Sequence, residues 1–289
     1  MRTFFLGAFL FATAAVVACS SDDAGTTAGA APGTDAGGGN ASTPAEWKAG
    51  GHGGFVYLRY ANEKLSTVAL FYAVPTTGAA CSRTTSGPCA ISDCTLPEGG
   101  DAGTISPDMV SDPAGNLTFS GGALPAGYGV IYARNGRYPY DETPVTGAPW
   151  TVGDPITLTN TGEWVPRFTT TLPAPTLEVK LTAPVLSETA PLGVDRTQPL
   201  AFTWTGATGG KVVIMVQTSG AGRRNVSAKC TFDAAPGEAS IPAAVMATMV
   251  AGPGSATLYP ASDALVTAGD YTIDVSIQTG GASGALAFQ

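Results

Sequence analysis

The sequence predicts an all-β protein: two β-sandwich-like domains after a disordered tether, with one short helix in the C-terminal domain. Three observations carry this. Short segments rich in aromatic and β-branched side chains recur down the chain, separated by Gly, Pro, Asn and Asp, the punctuation of strands and turns. Only 12% of residues are charged, whereas the chain holds 38 Gly and 22 Pro, unlike the Glu-, Lys- and Leu-rich composition of long helices. Alternation with period two is clear in Tyr271-Thr272-Ile273-Asp274-Val275-Ser276-Ile277, and a convincing helical period is absent before residue 241.

Residues 1–18 read as a secretory signal. Arg2 supplies the positive start, and residues 4–17 form an uncharged apolar run shorter than the ~20 residues that span a bilayer. The run leads into Val16-Val17-Ala18-Cys19, which resembles a bacterial lipobox. The resemblance implies cleavage before Cys19 and diacylation of its thiol. An acyl chain contributes about 0.8 kcal/mol per buried CH₂, so a multiply acylated Cys19 holds the chain on a membrane. Ser20, rather than Asp, follows the cysteine, and that resemblance points to the outer membrane of a bacterial cell envelope.

Residues 19–46 comprise the lipidated cysteine and a tether of Gly, Ala, Thr, Ser, Asp and Pro. Such a segment buries too little surface to offset backbone entropy and stays disordered. Removing Arg2 with the signal leaves 13 basic against 22 acidic side chains, a formal charge of −9. With no basic stripe, a nucleic-acid partner is not expected, and the acidic surface gives no pull toward anionic lipid. The partners expected are the membrane, through the acyl chains, and an envelope polysaccharide or protein.

A first folded region covers residues 47–174, opening at Trp47. Residues 55–60 and 65–74 read as strands joined by a turn at residues 61–64. Asn135-Gly136 between Val130-Ile131-Tyr132-Ala133-Arg134 and Arg137-Tyr138-Pro139-Tyr140 predicts a type I′ hairpin, with Pro139 placing the return strand at an edge. Residues 155–159 and 164–171 read as further strands. Seven of nine Tyr and three of four Trp fall in this region. Tyr132, Tyr138, Tyr140 and Trp150 are therefore candidates for an exposed platform that stacks on a sugar or peptide. The competing reading places them in half-buried strands.

Beyond Cys19 the cysteines are Cys81, Cys89, Cys94 and Cys230. An even number in an exported chain implies disulfides. If Ser86-Gly87-Pro88 tips a hairpin in which residue 84 faces 89, residue 81 faces 92. Cys81 and Cys94 then lie diagonally on one face, and Cys89 points to the other. The expected pairs are Cys81–Cys94 and Cys89–Cys230, the second crossing between the two regions. A free Cys230 buried in a strand is the main rival. The spacings of 8, 5 and 136 residues do not suit zinc.

A second region, residues 175–289, begins at Pro173-Ala174-Pro175. Strand candidates cover 177–181, 200–204, 212–218, 226–233, 256–259 and 271–278, spaced as in a sandwich. Residues 241–250 are the helical candidate. Pro242 suits its first turn, Gly252-Pro253 its stop, and Ile241, Val245 and Met249 share one face. Leu200-Ala201-Phe202-Thr203-Trp204 and Ala268-Gly269-Asp270-Tyr271 resemble the tryptophan strand and tyrosine corner of immunoglobulin-like domains. The inter-sheet cysteine pair of antibody domains has no counterpart. With the lipobox, the tether and the phrase Lys229-Cys230-Thr231-Phe232-Asp233-Ala234-Ala235, the layout resembles the Ala/Gly/Thr-rich surface lipoproteins of myxobacteria. No activity comes with that resemblance.

Catalytic motifs are sparse. His52, the single histidine, sits in Gly50-Gly51-His52-Gly53-Gly54, where flanking glycines argue against the fixed position a general base needs. A nucleophile elbow, a zinc-protease helix and a phosphate loop are all missing. No cofactor or metal is expected. Asp108, Asp112 and Asn116 lack the EF-hand spacing and read as a solvated turn rather than a calcium loop. The expectation is a non-enzymatic, lipid-anchored envelope protein with a binding or structural role. Two rivals stand beside it: a polysaccharide-binding lipoprotein using the first region's aromatics, and a hydrolase whose carboxylates meet only in space, with Asp141-Glu142 and Asp154 as candidates.

Overall fold

A computed structural model describes residues 51–73, 80–95, 111–132, 137–140, 142–220 and 224–289. The expectations for the signal, Cys19, the tether, Trp47, Asp108, Arg134, the Asn135-Gly136 turn and Asp141 lie outside the described residues. In chain order the strands are β1 (His52–Ala61), β2 (Lys64–Ala73), β3 (Ala80–Ser86), β4 (Cys89–Thr95), β5 (Leu117–Ser120) and β6 (Gly129–Val130). There follow β7 (Glu142–Pro144), β8 (Pro155–Asn160), β9 (Thr169–Pro173), β10 (Lys180–Ala183), β11 (Leu192–Val194) and β12 (Leu200–Thr205). The last are β13 (Lys211–Ser219), β14 (Arg224–Asp233), β15 (Glu238–Ile241), the helix α1 (Ala243–Met246), β16 (Gly252–Ala268), β17 (Tyr271–Thr279) and β18 (Ala282–Phe288).

The protein is all-β, and among the described residues its strands form three sheets. An eleven-stranded sheet runs β3-β4-β14-β13-β16-β17-β1-β2-β7, with β18 beside β16 and β11 beside β18. A four-stranded sheet, β6-β5-β8-β9, and a three-stranded sheet, β10-β12-β15, are the other layers. The long sheet serves both sandwiches. Val56, Leu58, Phe71, Ile273 and Val275 share a buried cluster with Phe119, Ile156 and Leu158 of the four-stranded sheet. Val212, Ile214, Val226 and Leu258 share a second cluster with Phe202, Trp204 and Ile241 of the three-stranded sheet. Each large apolar side chain so buried contributes about 1.5–3 kcal/mol.

Each buried cluster draws residues from both sides of the Pro173-Ala174-Pro175 segment. The hinge of the architecture is β16, 17 residues long. Its first half pairs with β13 and β18, its second half with β17. Pro260 lies at the handover: it is the last partner of β13, opposite Val212, and Ala261 is the first partner of β17. A residue without an N–H is tolerated where a ladder changes hands. The second half of β16 and all of β17 thus complete the first sandwich, and β1 adds to β17 in parallel, His52 opposite Tyr271. In exchange, the β3–β4 hairpin leaves the first region and extends the second sandwich by pairing with β14.

That exchange places the cysteines. Gly87 (φ +56°) and Pro88 make a two-residue turn, so Ser86 faces Cys89. The register is two residues tighter than the sequence suggested, and Cys94 lies directly opposite Cys81 rather than diagonal to it. Cys94 is disulfide-bonded. Cys89 faces Cys230 across the β4–β14 ladder, and the two form a disulfide between residues 141 apart in sequence.

Other local departures have simple causes. The strand expected from residue 164 begins at Thr169. The predicted helix shrinks to one turn, but Ile241, Val245 and Met249 are all buried, as its face predicted. Between β1 and β2, Asn62 and Glu63 adopt φ of +52° and +59°, the two-residue hairpin geometry that Gly prefers. Glutamate pays about 1 kcal/mol for that conformation. Glu63→Gly is therefore expected to raise the unfolding free energy by about 0.5–1 kcal/mol in urea titrations; a destabilised variant would contradict the strain.

Candidate functional site

The two cores leave one broad surface unexplained. Along β16, Ala256 and Leu258 face one core, and Ala264, Val266 and Ala268 face the other. These residues have the same parity, so both cores lie on one face of the long sheet. The opposite, outer face carries Tyr259, Asp263 and Leu265 of β16. Cross-strand register adds Tyr57 and Arg59 of β1, opposite Ser276 and Gln278 of β17, and Lys229 of β14. Leu265 is 46% exposed.

A polar network crosses this face where the sandwiches meet. Lys229 Nζ donates to Asp263 Oδ2 at 2.6 Å, with the two side chains 23% and 8% exposed. Ser276 Oγ donates to the other oxygen, Asp263 Oδ1, and Gln278 Nε2 donates to Ser276 Oγ at 3.0 Å. Tyr57 Oη donates to Asp274 Oδ2 at 3.3 Å, and the Tyr57 ring stacks on Phe55 at 5.0 Å. Asp263 and Asp274 are diagonal neighbours, since Asp263 faces Ser276.

The electrostatics act on Asp274 and Lys229. Burial pushes the Asp274 carboxyl upward, Lys229 pulls it down, and the neighbouring Asp263 pushes it up again, leaving it raised. Burial alone would lower the Lys229 ammonium, but Asp263, Tyr259 and Asp274 outweigh it and hold the lysine protonated. Burial also pushes the phenols up, Tyr259 to about 12 and Tyr57 well above its ordinary value. One carboxylate is thus fixed by a cation and the other retains its proton more readily.

This has a pH consequence. Because the folded state holds the Asp274 proton more tightly than the unfolded chain, stability falls as pH climbs from about 4 through the raised value. Asp274→Asn removes the difference. Its urea midpoint is expected to decline less than wild type over that interval; an unchanged decline would place the effect elsewhere.

The far end of the first sandwich gathers a second set of groups. His52 opens β1 and is held in a strand, not in the mobile glycine stretch the sequence suggested. Its ring lies 4.6 Å from that of Tyr271. Its Nδ1 is 3.5 Å from Asp112 Oδ2, is shielded from solvent, and makes no hydrogen bond among the described residues. Tyr271 Oη donates to the same Asp112 oxygen at 2.8 Å. A tyrosine corner would instead bond nearby backbone.

The expected aromatic platform does not assemble. Trp150 is 2% exposed, and its Nε1 donates to the Pro175 carbonyl at 3.0 Å. Tyr138 is buried against Phe71, its hydroxyl donating to Gly115 O and accepting from Ala114 N. Tyr132 packs on the same core and donates to Ser111 O at 2.8 Å. Only Tyr140 of the four is exposed, and it bonds Glu142, which also pairs with Lys64. A large ring with one polar tip fills a sandwich core when a backbone group meets the tip, which is what these residues do. Asp154 accepts from Thr151 N and closes a turn. Neither Glu142 nor Asp154 is placed as an acid–base pair.

A shallow groove near β4 and β14 contains Arg196 and Arg224. Arg196 donates to Met249 O and Gln289 O, and Arg224 forks onto Asp93, so both guanidiniums are engaged. Among the described residues there is no cluster of three metal-ligating side chains, and no helix is long and apolar enough to cross a membrane. Comparison with protein-family models and with curated proteins finds no match.

Proposed function

We propose that this chain is a non-enzymatic, lipid-anchored protein of the bacterial cell envelope whose outer sheet face binds an envelope ligand. The observation that supports the reading is the Lys229–Asp263–Ser276–Gln278 network beside Tyr57 and Asp274. Neither hydrophobic core uses this face. Holding a lysine–aspartate pair there carries a desolvation cost that well-packed apolar side chains would avoid. Fixed donors and acceptors bordered by aromatic rings are the components of a binding site. They suit the hydroxyls and flat faces of a polysaccharide, and the lipobox and tether would display the site at the outer membrane. The immunoglobulin-like and myxobacterial resemblances belong to the same reading.

The test uses the full chain and isolated envelope polysaccharide fractions. Saturable binding by wild type, lost in Tyr57→Ala/Tyr259→Ala and retained in Tyr140→Ala, is the expected result. Binding that survives the double substitution would move the site off this face.

A second reading, a hydrolase, is favoured by Asp263 and Asp274 lying as diagonal neighbours on one sheet face with burial raising the Asp274 carboxyl, since a carboxyl that keeps its proton can serve as a general acid. Release of reducing sugar by wild type but not by Asp274→Asn would select it over the binding reading.

A further inference from the structure

The first sandwich presents a deliberately shaped apolar tip at the end farther from the second sandwich. There, Gly162 N donates to Ala114 O and Val165 N to Pro113 O, each at 3.1 Å. Fully buried Asn160 stitches the same loop with three bonds: Nδ2 to Ala114 O and Pro166 O, and Oδ1 from Phe168 N. Val165 and Phe168 turn inward, at 0% and 7% exposure, while Trp164, immediately before Val165, is 73% exposed. Ile131, at 70%, stands on the neighbouring loop. The two loops meet on one segment, because Tyr132 Oη donates to Ser111 O at 2.8 Å and Val165 N donates to Pro113 O two residues on. Pro166 also touches Gly269 in the β16–β17 turn, and that turn ends beside Tyr271, the partner of His52. The chain leading from Cys19 therefore joins the sandwich at this same end.

We infer that this tip rests on the lipid surface, with Trp164 and Ile131 entering the headgroup layer. The inference depends on the lipid-anchored reading of Cys19. An indole has an apolar body and a single N–H donor, and tryptophan concentrates at membrane–water interfaces for that reason. Two exposed apolar side chains give a weak contact on their own. Tethering to the same membrane raises their local concentration and makes a weak contact sufficient. The exposed Glu163, Arg167 and Asp270 surround the tip and remain at headgroup level. With the tip down, β16 runs outward from the membrane, and the second sandwich and the Lys229–Asp263 network stand away from it.

The test places full-length lipidated protein carrying Trp47→Phe in phosphatidylcholine vesicles with brominated acyl chains. Flotation reports the anchor, and quenching of tryptophan emission by bromine reports the tip. Trp150 and Trp204 are 2% and 3% exposed and stay silent. The expected result is flotation with quenching, and loss of the quenching, but not of flotation, on Trp164→Phe. Ile131→Ser should weaken the quenching with the indole in place. Flotation without quenching, or quenching that persists in Trp164→Phe, would overturn the docking and leave the anchor standing. Failure to float would overturn both.

Discussion

Asp263→Ala is expected to lower the unfolding free energy by about 3 kcal/mol. The substitution leaves Lys229, half-buried on the sheet face, without its carboxylate partner, beside an Asp274 carboxyl that burial holds raised. It also strips Ser276, 1% exposed, of its acceptor. The cost comes from an uncompensated charge more than from a lost attraction. The paired substitution Lys229→Met/Asp263→Leu should consequently recover to within about 1 kcal/mol of wild type. Chemical denaturation of wild type and the two variants measures both values. A single-mutant cost below about 1 kcal/mol, the usual range of exposed pairs, would show that the network is a solvated surface feature. If the network is kept for binding, the paired substitution should be stable and fail to bind.

Cys89→Ser/Cys230→Ser is expected to cost about 4 kcal/mol. A cross-link between residues 141 apart removes a large share of the unfolded chain's freedom. It also fixes an exchange of strands. The β3–β4 hairpin is reached from the first sandwich but pairs with β14 of the second, and the Cys89–Cys230 bond clamps that pairing at buried positions. Wild type under strong reductant, which also opens the Cys94 bond, should be no more stable than the double variant. A variant whose midpoint matches wild type would show that the β4–β14 ladder, Arg224–Asp93 included, is sufficient without the bond.

The all-β class was legible because strands and turns are local. Alternation in residues 271–277 marks β17, and β12, β13 and β14 match their predicted cores closely. The order of pairing was not legible, because it is decided by contacts hundreds of residues apart. Nothing near His52 announces that β1 will add to β17, 219 residues later by the His52–Tyr271 register. β16 is marked in the sequence pattern only at residues 256–259. It runs for 17 because its partners change at Pro260. The aromatic concentration in the first region was real, but Trp150 and Tyr138 proved to be core residues whose polar tips meet backbone carbonyls. The outer-face network was hidden for the opposite reason. Lys229, Asp263 and Asp274 each look like an ordinary solvent-facing residue in an alternating strand. Only the register brings them together. Lys229 falling inside the phrase used for the lipoprotein resemblance gave no hint of its partner.

The most direct measurement is residue-resolved amide chemical-shift mapping of the full chain during titration with an envelope polysaccharide fraction. Perturbations centred on Tyr57, Lys229, Tyr259, Asp263 and Asp274 are the predicted result. Perturbations confined to Tyr132, Tyr140 and the Trp164 loop would contradict the account and return the ligand to the end of the first sandwich.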